Sequence, residues 1–210
     1  AAGLGRAALE ADPDHYEKGW AHCDVLVIGA GPAGLAAALT AARTGARVIL
    51  ADENFLPGGR CLAERRTIDG QPAADWAAQA IAELRSMPDV RLFPRTTVFG
   101  VFDDGVYGAV ERVNDHLPVP PEFQPRQRVW RFIAKQTVLA SGSIERPLVF
   151  GNNDLPGVML AGAVRTYVNR YAVLPGRRAV VFTDNDDGWT TAADLIAAGG
   201  QVAAIVDSRE

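Results

Sequence analysis

An α/β fold built on a parallel sheet is what three features of this 210-residue chain predict. The continuous aliphatic run Asp24 to Ile28 enters the glycine-rich turn Gly29-Ala30-Gly31-Pro32-Ala33-Gly34. A helical stretch from Pro32 to Thr44, ended by Gly45, then leads to a second apolar run, Arg47 to Ala51. The same strand–helix–strand order recurs at Arg178 to Phe182, Thr190 to Ala198 and Val202 to Val206, with Gly199-Gly200 closing the helix. Short apolar runs of this kind read as buried parallel strands. Parallel neighbours need a long crossover, which the helix supplies.

In the first unit each glycine has its own task. Gly29 permits the tight turn out of the strand, Gly31 removes a side chain where backbone must approach a pyrophosphate, and Gly34 lets helix pack on strand. A pyrophosphate is favoured at that helix N-terminus, where unpaired N–H groups and the dipole attract anions. Asp52 falls at the end of the second strand, where a carboxylate accepts hydrogen bonds from the adenosine ribose; Glu53 is the alternative one residue on. An acid there disfavours the 2′-phosphate of NADP, so a Rossmann-type site for NAD or FAD is expected, with Pro32 and Ala33 in its turn. Gly58-Gly59-Arg60 reads either as a second phosphate-side loop, with Arg60 neutralising charge, or as a surface turn.

The second unit departs from this pattern. Thr183 and Asn185 stand in the first two glycine positions, and Asp184, Asp186 and Asp187 would repel a pyrophosphate. It is expected to keep the fold without binding a dinucleotide in the ordinary way.

Between the two units, Ala73 to Met87 has apolar positions at helical spacing, including Trp76, Ala77, Ala80, Ile81 and Leu84, and Val90 to Phe93 is a short strand. The period then drops to two. Thr97 to Phe102, Val106 to Val110 and Val129 to Ala134 form a small antiparallel meander, with Asp103-Asp104-Gly105 as a tight turn and the Pro-rich Leu117 to Pro125 as an excursion. Gln136 to Ala140, the loop Ser141-Gly142-Ser143 and a helix from Ala161 to Ala172 begin the third part. Residues 1–20 read as a lead-in with a short helix around Ala7 to Ala11. The expected division is a lead-in (1–20), a dinucleotide-binding domain (21–150) containing the meander (about 97–134), and a partial second Rossmann-like domain (151–210). One βαβ unit cannot cover both faces of its sheet, so the chain reads as a fragment of a longer polypeptide or one piece of a tight complex.

The composition, 48% hydrophobic and 22% charged with a net charge of −4, is that of a soluble globular protein. Without clustered Lys or Arg it argues against a nucleic-acid surface. The run Val25 to Leu39 is too short and interrupted to span a bilayer, and Ala1 to Lys18 lacks a signal-peptide pattern, so a cytoplasmic location is expected. Cys23 and Cys61 make neither an all-Cys zinc site nor a disulfide framework. His15, His22 and His116 are scattered, so no metal site is expected and no catalytic residue is assigned. Trp20, Trp76, Trp130 and Trp189 read as packing residues.

Val25 to Gly34 with Asp52 resembles the two-dinucleotide-binding-domain flavoproteins, the glutathione reductase and thioredoxin reductase type. Thr137-Val138-Leu139-Ala140-Ser141-Gly142-Ser143 is similar to their second fingerprint, with Ser141 in place of threonine. The stretch from Gly142 to Val158, with Ala51-Asp52-Glu53 and Gly58-Gly59-Arg60, resembles the α subunits of heterotetrameric sarcosine oxidases over essentially the whole chain; related opine-oxidising subunits share much of the pattern. The resemblance implies cofactor contacts at Gly29, Gly31, Pro32, Ala33, Gly34, Asp52, Glu53, Gly59, Arg60, Ser141 and Gly142. It implies NAD in this chain, FAD on a β subunit that oxidises the amine, FMN near the subunit boundary where peroxide forms, and γ and δ partners, the δ subunit carrying zinc. No folate-binding region is visible, so the chain by itself is expected to be catalytically incomplete. The alternatives are a flavin-dependent NAD(P)H reductase fragment with FAD at Gly29 to Gly34, and a non-enzymatic assembly domain with a structural nucleotide.

Overall fold

The computed structural model describes Gly5, Ala7 and residues 9–209. In chain order its strands and helices are β1 (Tyr16–Ile28), α1 (Pro32–Arg43), β2 (Val48–Ala51), the hairpin β3 (Thr67–Ile68) and β4 (Gln71–Pro72), α2 (Ala73–Ser86), β5 (Val90–Phe93), β6 (Thr96–Phe102), β7 (Val106–Glu111), β8 (Gln127–Leu139), α3 (Ala161–Arg165), β9 (Arg178–Thr183), α4 (Asp186–Ala197) and β10 (Gln201–Asp207). A 3₁₀ turn, Gly59–Leu62, follows β2.

The main sheet has six strands in the order β5-β2-β1-β8-β7-β6. β5, β2, β1 and β8 run parallel, whereas β7 and β6 continue the sheet antiparallel. The Rossmann-like α/β fold expected from the sequence is present. β1 and β2 alternate between two buried faces. Val27, Val48 and Leu50 pack with Leu35, Ala38 and Leu39 of α1 and with Ala77, Ile81 and Leu84 of α2. On the other face, Leu26 and Ile49 meet Phe93, Trp130 and Phe132. The ring centroids of Phe93 lie 5.2 Å from Trp130 and 5.0 Å from Phe132, within the range of favourable aromatic pairs. β9 and β10 form a separate two-stranded parallel sheet with α4 as its crossover.

Several elements differ from expectation. Of the helix expected over Ala7 to Ala11, Ala7 and Leu9 to Ala11 are not helical, and Ala8 lies outside the described residues. The lead-in becomes strand at Tyr16, because Tyr16 to Cys23 pair with Gln127 to Ala134. The runs Val129 to Ala134 and Gln136 to Ala140 are one strand, β8, not two. Its first half closes the meander against β7 and its second half lies beside the glycine turn, so meander and nucleotide-binding sheet are continuous. The helix expected over Ala161 to Ala172 is present from Ala161 through Tyr171, but its second half, Thr166–Arg170, is π-helical. Ala172, at φ 53°, ends it. β-Branched Val164, Thr166 and Val168 lower its intrinsic helical preference. α4 begins at Asp186, ahead of the expected Thr190, because the Asn185 side chain accepts a 2.9 Å bond from the Asp187 N–H and caps the helix.

Candidate functional site

The expected site residues converge where β1, β2 and β8 end. The chain leaves β1 at Gly29 with φ 101°, and a Cβ there would lie 2.3 Å from the Ala140 carbonyl oxygen at the end of β8. A Cβ on Gly34 would fall 1.8 Å from the Gly29 carbonyl oxygen, so the first turn of α1 sits directly on the glycine turn. Gly31 is different. Its φ of −73° is open to any residue, and nothing lies within 4 Å of where its Cβ would be. The chain therefore does not need the conformational freedom of glycine at Gly31. What glycine preserves there is an open surface at the start of a helix. No side chain caps that end, and Pro32 stands in the first turn, where its missing N–H costs nothing. A pyrophosphate fits this cradle, since the helix N-terminus offers free N–H groups and a favourable dipole.

The rest of the site buttresses the turn. The Gly58 N–H donates to the Ala30 carbonyl at 2.8 Å. Gly59 lies so close that a Cβ on it would stand 2.8 Å from the Gly31 Cα. Asp52 is buried, its Oδ2 accepting from the Ala30 N–H at 2.6 Å and its Oδ1 from the Asn54 N–H at 2.8 Å. Its carboxylate thus holds the glycine turn in shape. Glu53 is exposed at the same edge, and its carbonyl accepts from Arg112 at 2.5 Å. Beside it, Phe55 has the guanidinium carbons of Arg95 and Arg170 at 5.6 and 5.3 Å from its ring. Ser141 and Gly142 follow Ala140, whose N–H donates to the Ile28 carbonyl at 2.8 Å, and both are exposed at this end of the sheet.

Arg60 points away from the turn, into a group of charges that sequence reading missed. Its Nε meets Glu64 at 2.5 Å and its Nη2 meets Asp187 at 2.8 Å. Arg165, only 1% exposed, approaches the same Asp187 oxygen at 3.1 Å. The Arg60 guanidinium holds the Asp187 carboxyl below its usual range, with Arg165 adding to the effect. Asp187, expected from the sequence to repel a pyrophosphate, is in the structure the partner of three arginines, Arg66 standing 3.7 Å from its other oxygen. A local signal existed in the charge run Arg60-Cys61-Leu62-Ala63-Glu64-Arg65-Arg66, but nothing in it named the distant partner.

Other chemistry is limited. Burial pushes the Cys23 thiol up to about 11 and also raises that of Cys61, so both are protonated near neutral pH. Among the described residues no group of three or more His, Cys, Asp or Glu is placed to hold a metal. An open cleft of about 530 Å³, lined by His22, Arg47 and Lys135 among others, lies toward the start of β2, at the opposite end of the strand from the glycine turn. Asp24 already pairs with both of its cations.

This geometry is that of an α/β protein with a flavin- and nucleotide-binding type of fold. The chain belongs to the pyridine nucleotide-disulphide oxidoreductase family, whose model matches residues 23–182. Over its whole length it is 62% identical to sarcosine oxidase subunit alpha of Rhizobium meliloti (strain 1021), and over 99% of its length 48% identical to that of Corynebacterium sp. (strain P-1). It spans 21% and 22% of those relatives' lengths. A solved structure of L-proline dehydrogenase from P. horikoshii shares the fold, with a TM-score of 0.73 over 94% of this chain and 38% of that one, at 24% identity.

Proposed function

We propose that this chain is the NAD-binding portion of the α subunit of a multi-subunit oxidase acting on sarcosine or a related secondary amine. The observation that carries the nucleotide assignment is the open Gly31 cradle at the start of α1, buttressed by the Ala30 contacts to Asp52 and Gly58. The likeness to sarcosine oxidase α subunits supports the rest. In this reading the binding residues are Gly29, Gly31, Pro32, Ala33, Gly34, Asp52, Glu53, Gly59, Arg60, Ser141 and Gly142, within a domain at 21–150 and ahead of a partial second one at 151–210. Oxidative demethylation would take place at FAD on a β subunit, with FMN at the boundary, γ and δ subunits completing the assembly, and hydrogen peroxide as a product. NAD bound at the cradle would supply a tightly held nucleotide, while this chain's residues bind and orient it. A cytoplasmic location belongs to the same proposal; no helix among the described residues is long and apolar enough to cross a membrane.

Mass spectrometry of the nucleotide released from the intact protein tests this directly. NAD is expected, and FAD from this chain, seen also as flavin absorbance, would favour the reductase alternative. NAD is further expected to bind more tightly than NADP, because Glu53 lies exposed beside Asp52 at the ribose end. Equal binding in calorimetry would overturn that preference in favour of Arg95 and Arg112, which flank the same edge. Asp52→Asn is expected to weaken NAD binding by roughly 1.5–3 kcal/mol, the usual contribution of hydrogen bonds to a charged group. An amide cannot accept at both positions from the two N–H groups that Asp52 now satisfies.

The 210 residues alone are expected to produce no peroxide from sarcosine, even when supplied with NAD. Coupled peroxide detection checks this, and turnover by a flavin-free preparation would refute it.

A further inference from the structure

Arg60 connects two parts of the molecule. Its loop lies against the glycine turn, Gly59 touching Gly31, while its guanidinium crosses to Asp187 in the first turn of α4. Asp187 is also held by Arg165, which comes from α3 and is buried. The arrangement is not fully satisfied. The Nε and Nη1 of Arg165 have no hydrogen-bond partner, and Nη1 stops 3.6 Å from Glu64 Oε1. A buried guanidinium with unmade bonds gains from any rearrangement that frees an acceptor. Both Glu64 and Asp187 are shared with the half-exposed Arg60 and with Arg66, which stands 2.9 Å from Glu64 and 3.7 Å from Asp187.

We propose that Arg60 is a shared arginine that exchanges Asp187 for the pyrophosphate when a dinucleotide occupies the Gly31 cradle, linking occupancy of the first βαβ unit to the docking of the second. The proposal rests on the nucleotide reading above. A pyrophosphate at Gly31 presents charged oxygens beside the backbone that carries Arg60, and a guanidinium binds phosphate through short, charge-assisted bonds. As Arg60 turns, Glu64 and Asp187 pass to Arg165, whose open N–H groups they satisfy. The second unit then keeps Arg165 and Arg66 at Asp187 and the Asn169 bond to Asp194, but it loses the Arg60 link and loosens. Linkage is reciprocal, so Asp187 competes with the nucleotide for Arg60 and holds its affinity down.

Calorimetric titration of the intact, nucleotide-stripped protein with NAD tests this as a double-mutant cycle. Asp187→Asn is expected to tighten NAD binding by about fivefold, the lower end of ordinary coupling between sites. Arg60→Gln is expected to weaken binding, and in that background Asp187→Asn should have no further effect. A simple structural ion pair would give no tightening, or an Asp187 effect that survives loss of Arg60, and either result overturns the exchange. Should Asp187→Asn fail to fold, wild-type hydrogen exchange decides: NAD should speed exchange in residues 165–170 and the first turn of α4, and unchanged or slower exchange overturns the proposal. If wild-type protein binds no dinucleotide at all, the nucleotide reading fails and the exchange fails with it. Binding without the predicted cycle removes the exchange alone.

Discussion

Gly31→Val is expected to abolish dinucleotide binding while leaving the fold in place, with a loss of more than about a hundredfold in affinity, or about 2.8 kcal/mol. Two facts separate this substitution from one that unfolds the protein. The backbone at Gly31 has φ −73° and ψ −176°, which valine adopts without strain, and the protein leaves empty the volume its side chain would enter. That volume is where the pyrophosphate has to approach the backbone. The dihedral freedom that the turn requires is supplied by Gly29, at φ 101°. The matching change in the second unit is Asn185→Val, which removes the cap that accepts from the Asp187 N–H. It is expected to lower stability by about 1 kcal/mol, the usual value of a helix cap, with little change in affinity. Paired NAD titrations, with circular dichroism to verify folding, check the contrast. Loss of binding in Asn185→Val but not in Gly31→Val would place the dinucleotide in the second βαβ unit and overturn its assignment to the first.

Where local pattern decides structure, the sequence was sufficient. Val90 to Phe93 is a strand at the expected residues, and α1 and α2 each end one residue earlier than expected. Apolar period and glycine placement are short-range signals. The first half of β1 was not legible because its reason is distant: Tyr16 to Cys23 become strand by pairing with Gln127 to Ala134. One local clue was present in Gly19, where a Cβ would come within 2.5 Å of the Trp130 ring, since a glycine inside a strand often marks a close approach. The gathering of the glycine turn, Asp52 and the Gly58-Gly59 loop at one sheet end followed from βαβ topology. The orientation of Arg60 did not, because it depends on Arg165 and Asp187, far along the chain. Charge in the Asp184–Asp187 loop could be counted from sequence, but its compensation could not.

Gly34→Ala is the substitution expected to damage the fold most, by at least about 3 kcal/mol, the upper end of ordinary overpacking. The added carbon would lie 1.8 Å from the Gly29 carbonyl oxygen and 2.9 Å from its carbon, far inside any tolerable contact. Relief cannot come from a side-chain rotation, because the obstacle is main chain. Gly29 is fixed in turn: its N–H donates to the Ala51 carbonyl, and its Cα faces Ala140. Moving α1 outward would instead open the contact of Leu35 and Ala38 with Val27, all fully buried. Gly188 occupies the third glycine position of the second unit and gives the internal comparison. A Cβ there would meet the Cβ and Oγ1 of Thr183 at 2.4 Å, and Thr183 is buried with its hydroxyl bonded to Asn185, so Gly188→Ala should also be costly, though less so than Gly34→Ala with its 1.8 Å main-chain contact. Gly45→Ala, with φ 83° but open space around it, should cost only the left-handed backbone penalty of about 1–2 kcal/mol. Urea midpoints of the three variants should therefore place Gly34→Ala furthest below wild type. A Gly34→Ala protein as stable as wild type would mean that the helix does not rest on the glycine turn as described, and the open cradle at Gly31 would lose its structural basis.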